Sequence, residues 1–299
     1  MSVVSGDRGA VYDRGYRPYD GPRGRRGAAT FALFKASIRR ALGIRRSWRQ
    51  KIAPFVLLGV VTIPAIVNVG IGYVTRDRVV DRLEIITYRD YVGVSSALLL
   101  FVALVAPDVM CPDRRQRVLP LMFARPLTGT DYVIAKVGAI SAILFAFSFL
   151  PQVVLFLGNM LVSDSAYSYF TGHLDVLWKV PLSVAMLAIY YAVIGVAIAS
   201  LTDRRIVAGA GIIGLLLVTS IASGIIVGDF QPGHGSIAGL INVWVLPLYL
   251  KDIVFLGHVD PDSPLAGVAN AGLYALVVYL AVLLVGSLVL LYRYRWLER

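Results

Sequence analysis

Apolar residues fill six long stretches of this chain with almost no charge inside them, at about 52–73, 92–109, 133–162, 180–201, 206–227 and 268–292. Each is long enough, at about 1.5 Å of helical rise per residue, to cross a hydrocarbon core of about 30 Å. None alternates with the period of two that a membrane strand requires, so the pattern predicts an all-α, polytopic membrane protein built on a six-helix transmembrane bundle. The third stretch is overlong and contains Pro151, which predicts a kink or a tilt.

Two further segments carry a weaker pattern. Phe31, Phe34, Ile38 and Leu42 recur at spacings of three and four, while Lys35, Arg39, Arg40 and Arg46 fall mostly off that stripe. The spacing predicts an amphipathic helix over 28–51, lying in the membrane interface with Trp48 as a further anchor; an ordinary helix in water is the alternative. Residues 1–27, rich in Gly, Arg and Tyr, lack the apolar content to fold alone and are expected to be a disordered tail, leaving 52–299 as the transmembrane domain. Near the other end, residues 236–256 hold Leu240, Trp244, Leu248 and Tyr249 but are broken by Pro247 and by Lys251 and Asp252. Too polar for a span and too apolar for water, this segment predicts short re-entrant or interfacial helices before the last span.

Composition agrees with a membrane class: of 299 residues 58% are apolar and 16% charged, with a mean hydropathy of +0.73. The net charge of +11 would fit nucleic acid or anionic lipid, and its placement decides. Thirteen Lys and Arg precede residue 52, four lie in 108–131, two in 202–205 and three in the last seven residues, twenty-two in all. The segments on the opposite side carry four in 75–91, none in 163–175 and one in 228–267, five in all, with Lys136 and Lys179 at helix ends. The excess is therefore topological: both termini are expected in the cytoplasm, the chain in the cytoplasmic membrane, and no nucleic-acid partner is expected. A signal peptide of the usual form is not expected either, because the first strongly apolar run starts near Ile52.

Candidate chemistry is sparse. No G-x-x-x-x-G-K-[ST] occurs, so ATP hydrolysis would need another chain. No Asp or Glu falls inside a predicted span beyond its last turn, which disfavours an ion-coupled transporter. His173, His234 and His258 fall in external loops and the single Cys111 has no partner, so neither a metal site nor a cofactor is expected in this chain. Asp164 with Asp175, and Asp260 with Asp262, read as solvated loop charges rather than as a catalytic pair. Gly195 with Ala199, Ala210 with Gly214 and Ser220 with Gly224 have the spacing of close helix packing.

The most distinctive stretch follows the second span. It runs Asp113-Arg114-Arg115-Gln116-Arg117-Val118-Leu119-Pro120-Leu121-Met122, then Pro126-Leu127-Thr128, then Ala135-Lys136 opening the next span. This charged step, short leucine-bearing helix, Pro-led turn and Lys resemble the corresponding loop of the ABC type-2 exporter permeases. In that family the loop reads as an E-R-like step, L-x-x-L-x-x-x-P, a small or hydroxyl residue, and G-K. Here Arg117-Val118 stand where a small residue is usual, Pro120 lies inside the short helix and Ala135 replaces the Gly. The resemblance, over about 31–299, implies a permease that pairs with itself or a sister permease and binds two separate ATPase subunits, which hold ATP and Mg. It implies that Asp113, Arg114, Arg115 and Arg117 present a polar face to the ATPase while Leu119, Leu121 and Met122 seat in its groove. Cargo identity stays open among drugs, lipids and peptides. A non-transporting membrane scaffold and, behind it, a secondary transporter are the competing readings.

Overall fold

The computed structural model describes residues 25–44, 48–75, 87–92, 95–123, 127–230 and 235–297. The expected tail over 1–27 lies outside them apart from its last three residues. The described chain is helical throughout: α1 (Arg26–Ala41), α2 (Trp48–Thr75), α3 (Tyr88–Val92), α4 (Ser95–Arg115), α5 (Leu119–Phe123), α6 (Gly129–Val162), α7 (Ala166–Gly172), α8 (Val176–Leu201), α9 (Arg205–Phe230), a 3-10 helix (Ile237–Ile241), α10 (Leu246–Leu256) and α11 (Ala271–Leu297). Among the described residues six helices, α2, α4, α6, α8, α9 and α11, are long and apolar enough to cross a membrane. The chain is a multi-pass membrane protein.

Helix boundaries differ from the sequence expectation where polar residues extend a helix past its apolar run. The fourth helix continues six residues beyond Val109, through Pro112 and Asp113 to Arg115, so the first part of the expected loop is helix. The sixth begins at Gly129, because Thr128 and Asp131 form a capping box that satisfies the first N–H groups before the apolar residues start. Pro151 stands inside α6 without ending it. The expected helix over 28–51 is instead two elements. Gly43, at φ 65°, takes the left-handed position that closes α1, with Ile44 N–H donating to the Arg39 carbonyl at 2.8 Å. Trp48 to Lys51 already belong to α2.

Within the bundle α4 and α8 are the inner helices, with 73% and 72% of their most apolar windows buried, against 11% for α2 and 17% for α9 and for α11. Packing of α8 on α4 uses Gly195: a Cβ there would stand 2.4 Å from Val102 Cγ1, so only the missing side chain allows the approach. Gly214 and Gly224, with the same sequence spacing, have open space where a Cβ would be. On α2, α9 and α11 the outward faces are unbroken apolar surface, including Ile63, Val67, Val218, Ile221, Leu284 and Leu288, which hydrocarbon covers in a bilayer.

Consecutive spans run in opposite directions and give the bundle two chemically different ends. One gathers α1, the α4–α5–α6 corner, the α8–α9 turn and the end of α11; Arg205 pairs with Asp108 at 2.6 Å and Arg293 donates to the Leu201 carbonyl at 3.5 Å. The other gathers α3, α7, α10 and the start of α8, where Lys179 donates to the Phe255 carbonyl at 3.3 Å. From this second end the segment before α11 dips between α8, α9 and α11. The Tyr190 hydroxyl donates to the Val243 carbonyl at 3.0 Å and the Tyr191 hydroxyl to the Trp244 carbonyl at 2.8 Å. Tyr190 lies about 21 Å along α8 from its start, at 1.5 Å per residue, so these phenols satisfy backbone acceptors well inside the bundle. The segment then returns as α10, whose eleven residues are too few to span.

Candidate functional site

Chemistry concentrates where α4 turns into α5. Asp113, in the last turn of α4, is 1% exposed, and Lys136, on the second turn of α6, is 2% exposed. Their charged groups meet at 2.6 Å. Arg40 from α1 donates to the other carboxylate oxygen, and the Tyr132 hydroxyl donates to Asp113 Oδ2 at 3.0 Å. Lys136 also donates to the Val109 carbonyl at 3.1 Å and sits over the Tyr132 ring, 5.3 Å from its centroid. Tyr294 of α11 packs on that ring, with centroids 4.8 Å apart. One carboxylate thus joins α1, α4 and α6, with α11 against it. A second pair, Arg26 with Asp131 at 2.7 Å, ties the beginning of α1 to the beginning of α6.

This arrangement changes what the loop residues are free to do. The expectation that Asp113 lies on an outward polar face does not hold, because its carboxylate is buried among two cations and a phenol. Arg114 is half-buried, donating to the Ser200 carbonyl of α8. Leu119 is 5% exposed, packed within its own chain, and so is no free anchor for a partner's groove. Met122 is half-buried, and the side chain of Leu121 lies outside the described ones. Arg115, Gln116 and Arg117 face outward.

Arg117 has a conformation that its residue type does not favour. At φ 51° it occupies the left-handed position closing α4, with its own N–H on the Arg114 carbonyl at 3.0 Å and the Val118 N–H on the Asp113 carbonyl at 3.2 Å. These are the bonds that close α1 around Gly43. A side chain at such a position costs about 1 kcal/mol relative to glycine.

Along α1 the expected stripe divides. Ile38 and Leu42 pack against the core, and Phe34 approaches Gly138 of α6, where a Cβ would meet its ring at 3.6 Å. Phe31, 63% exposed, stacks on Phe34 at 6.0 Å and leaves an aromatic face outward. The Trp48 side chain lies outside the described ones. Cys111 is fully buried.

At the opposite end, Arg89 of α3 lies 3.1 Å from Asp260 and 4.0 Å from Asp252, while Lys251 reaches Asp252 at 3.1 Å. Burial pushes the Asp252 carboxyl above the usual carboxylate range despite Lys251 and Arg89, with Asp260 pushing the same way. A raised carboxyl contributes stability that is present below its unfolded value near 3.8 and is lost as pH rises through the folded value. Arg89→Gln removes a cation that limits this loss. Its melting temperature is therefore expected to match the parent at acidic pH and to fall progressively below it as pH rises through the carboxylate range; a gap independent of pH would place the Arg89 contribution in packing.

Among the described residues no group of three or more His, Cys, Asp or Glu could hold a metal ion. No family model and no curated protein matches the chain.

Proposed function

We propose that this chain is the permease subunit of an ATP-driven exporter, pairing with a second permease and taking its energy from a separate ATP-binding cassette subunit that carries ATP and Mg. The loop resemblance suggests the class, and the observation that carries the reading is the mechanical link at the α4–α5 corner. A load applied to outward-facing Arg115, Gln116 and Arg117 reaches α1 and α6 through Asp113, Arg40 and Lys136, because a buried ion pair is expensive to break and moves as a unit. Such a link is what a permease without a P-loop needs to convert a partner's nucleotide-dependent closure into helix movement. The basic end then faces the cytoplasm, following the twenty-two to five division of Lys and Arg. On this reading α1 lies at the inner surface, with Phe31 and Phe34 toward the acyl region. Cargo passes between two bundles, and the apolar spans suit a drug, lipid or peptide better than a sugar.

Purification of the tagged chain from its native membranes is expected to bring down a P-loop ATPase in equal numbers, with hydrolysis that responds to cargo candidates. A chain that purifies intact and dimeric but holds no ATPase would overturn the reading in favour of a scaffold.

A further inference from the structure

A cavity of about 680 Å³ opens at the basic end between the last turns of α4, α8 and α11. Three arginines line it, Arg114 and Arg117 from the end of α4 and Arg293 from α11, opposite an apolar wall of Leu201, Val289 and Tyr292. Among the described residues no carboxylate pairs with any of these arginines. Among the described residues Arg114 and Arg293 donate to backbone acceptors, the Ser200 and Leu201 carbonyls, which hold the guanidinium groups in place without neutralising them. The wall is continuous with the outward face of α11, where Leu284, Val285 and Leu288 are exposed to the bilayer.

We propose that this cavity binds an anionic phospholipid, the headgroup phosphate on Arg114, Arg117 and Arg293 and an acyl chain along Leu201, Val289 and Tyr292. Guanidinium groups match phosphate oxygens in charge and in bidentate geometry. An apolar wall leading onto a hydrocarbon-facing helix suits a molecule that is anionic at one end and apolar at the other. An acidic peptide would satisfy the arginines and leave that wall without a partner. Arg117 supplies an independent reason: the helix closure it forms is made with glycine at the end of α1, yet here a strained arginine places a third cation in the cavity. The inference does not depend on an ATPase docking nearby.

The test titrates the purified full-length chain in neutral detergent with dioleoylphosphatidylglycerol and, separately, dioleoylphosphatidylcholine, reading retained lipid by native mass spectrometry and stability by thermal unfolding. One phosphatidylglycerol is expected to bind at least about tenfold more tightly than phosphatidylcholine. Arg117→Gly and Arg293→Gln are each expected to weaken it about fivefold, the worth of one cation near a phosphate. Arg117→Gly relieves the backbone, so its melting temperature without lipid should equal or exceed the parent's, which separates lost binding from lost folding. Arg204→Gln makes the same charge change on the α8–α9 turn, outside the cavity lining, and should leave binding as it was. Equal retention of the two lipids, or parental binding by both cavity variants, would overturn the proposal. So would displacement of the lipid by millimolar inorganic phosphate, which would make the site one for a soluble anion. Polyglutamate binding without phosphatidylglycerol binding would make it a protein contact.

Discussion

Asp113→Asn is expected to destabilise the detergent-solubilised chain by about 3–5 kcal/mol, the cost of leaving a buried charge without its partner. Asparagine keeps the size and can still accept from Tyr132, so the change isolates the charge. What it leaves behind is asymmetric. Arg40 is 23% exposed at its side chain and can turn toward water, whereas Lys136 is 2% exposed, with the Val109 carbonyl and the Tyr132 ring as its remaining contacts. Lys136→Met should therefore cost less than Asp113→Asn, because the Asp113 carboxylate keeps Arg40. The double variant Asp113→Asn/Lys136→Met removes both buried charges and should recover much of the loss, because no buried ion is then left without its partner. Thermal or denaturant unfolding of the four proteins, analysed as a cycle, gives the coupling directly. Additive losses would show that the pair is not a unit and would remove the mechanical link from the α4–α5 corner.

The reading order of that corner explains what the sequence could and could not disclose. Spans were legible because a run of about twenty apolar residues has few folded states other than a membrane helix. The positions of the basic segments were legible for a related reason, since charge is confined to the ends. Asp113 and Lys136 looked like loop and helix-end charges because the apolar runs stop at Val109 and start again at Val133. The helices do not: Pro112 is tolerated inside α4, and the Thr128–Asp131 capping box starts α6 early. The second of these was readable, as T-x-x-D before an apolar run is a start signal. Contacts of Arg40 with Asp113, 73 residues apart, were not, because no local pattern encodes a partner brought in by packing. Tyr190 and Tyr191 failed to register for another reason. Counted as apolar, they also carry the hydroxyls that donate to the dipping segment's carbonyls. Leu119 shows the opposite error: leucine in a charged loop resembles an anchor for a partner, but its own chain buries it.

Burial of Leu119 also decides how the proposed ATPase contact should respond to mutation. Leu119→Ala is expected to cost about 2–5 kcal/mol of fold stability whether or not a partner exists, since it opens a cavity in the chain's own packing. Any loss of ATPase in that variant would follow from the weakened corner. Arg115→Glu with Gln116→Glu is the sharper pair: both side chains face outward, and exposed substitutions of this kind shift stability by no more than about 0.5 kcal/mol. If the corner is the docking surface, reversing its charge should reduce retention of the ATPase at least about tenfold at low salt, through slower association and like-charge repulsion. Raising ionic strength should narrow the difference, because the effect is carried by solvent-exposed charge. The measurement is the ATPase-to-permease ratio and hydrolysis rate of the purified complex across a salt series, beside the melting temperature of each permease. A double variant that unfolds like the parent and holds as much ATPase at every salt concentration would move the docking surface away from α4 and α5. A variant that loses the ATPase while keeping the parent's melting temperature would tie the partner to this corner, with the Asp113 node directly beneath it.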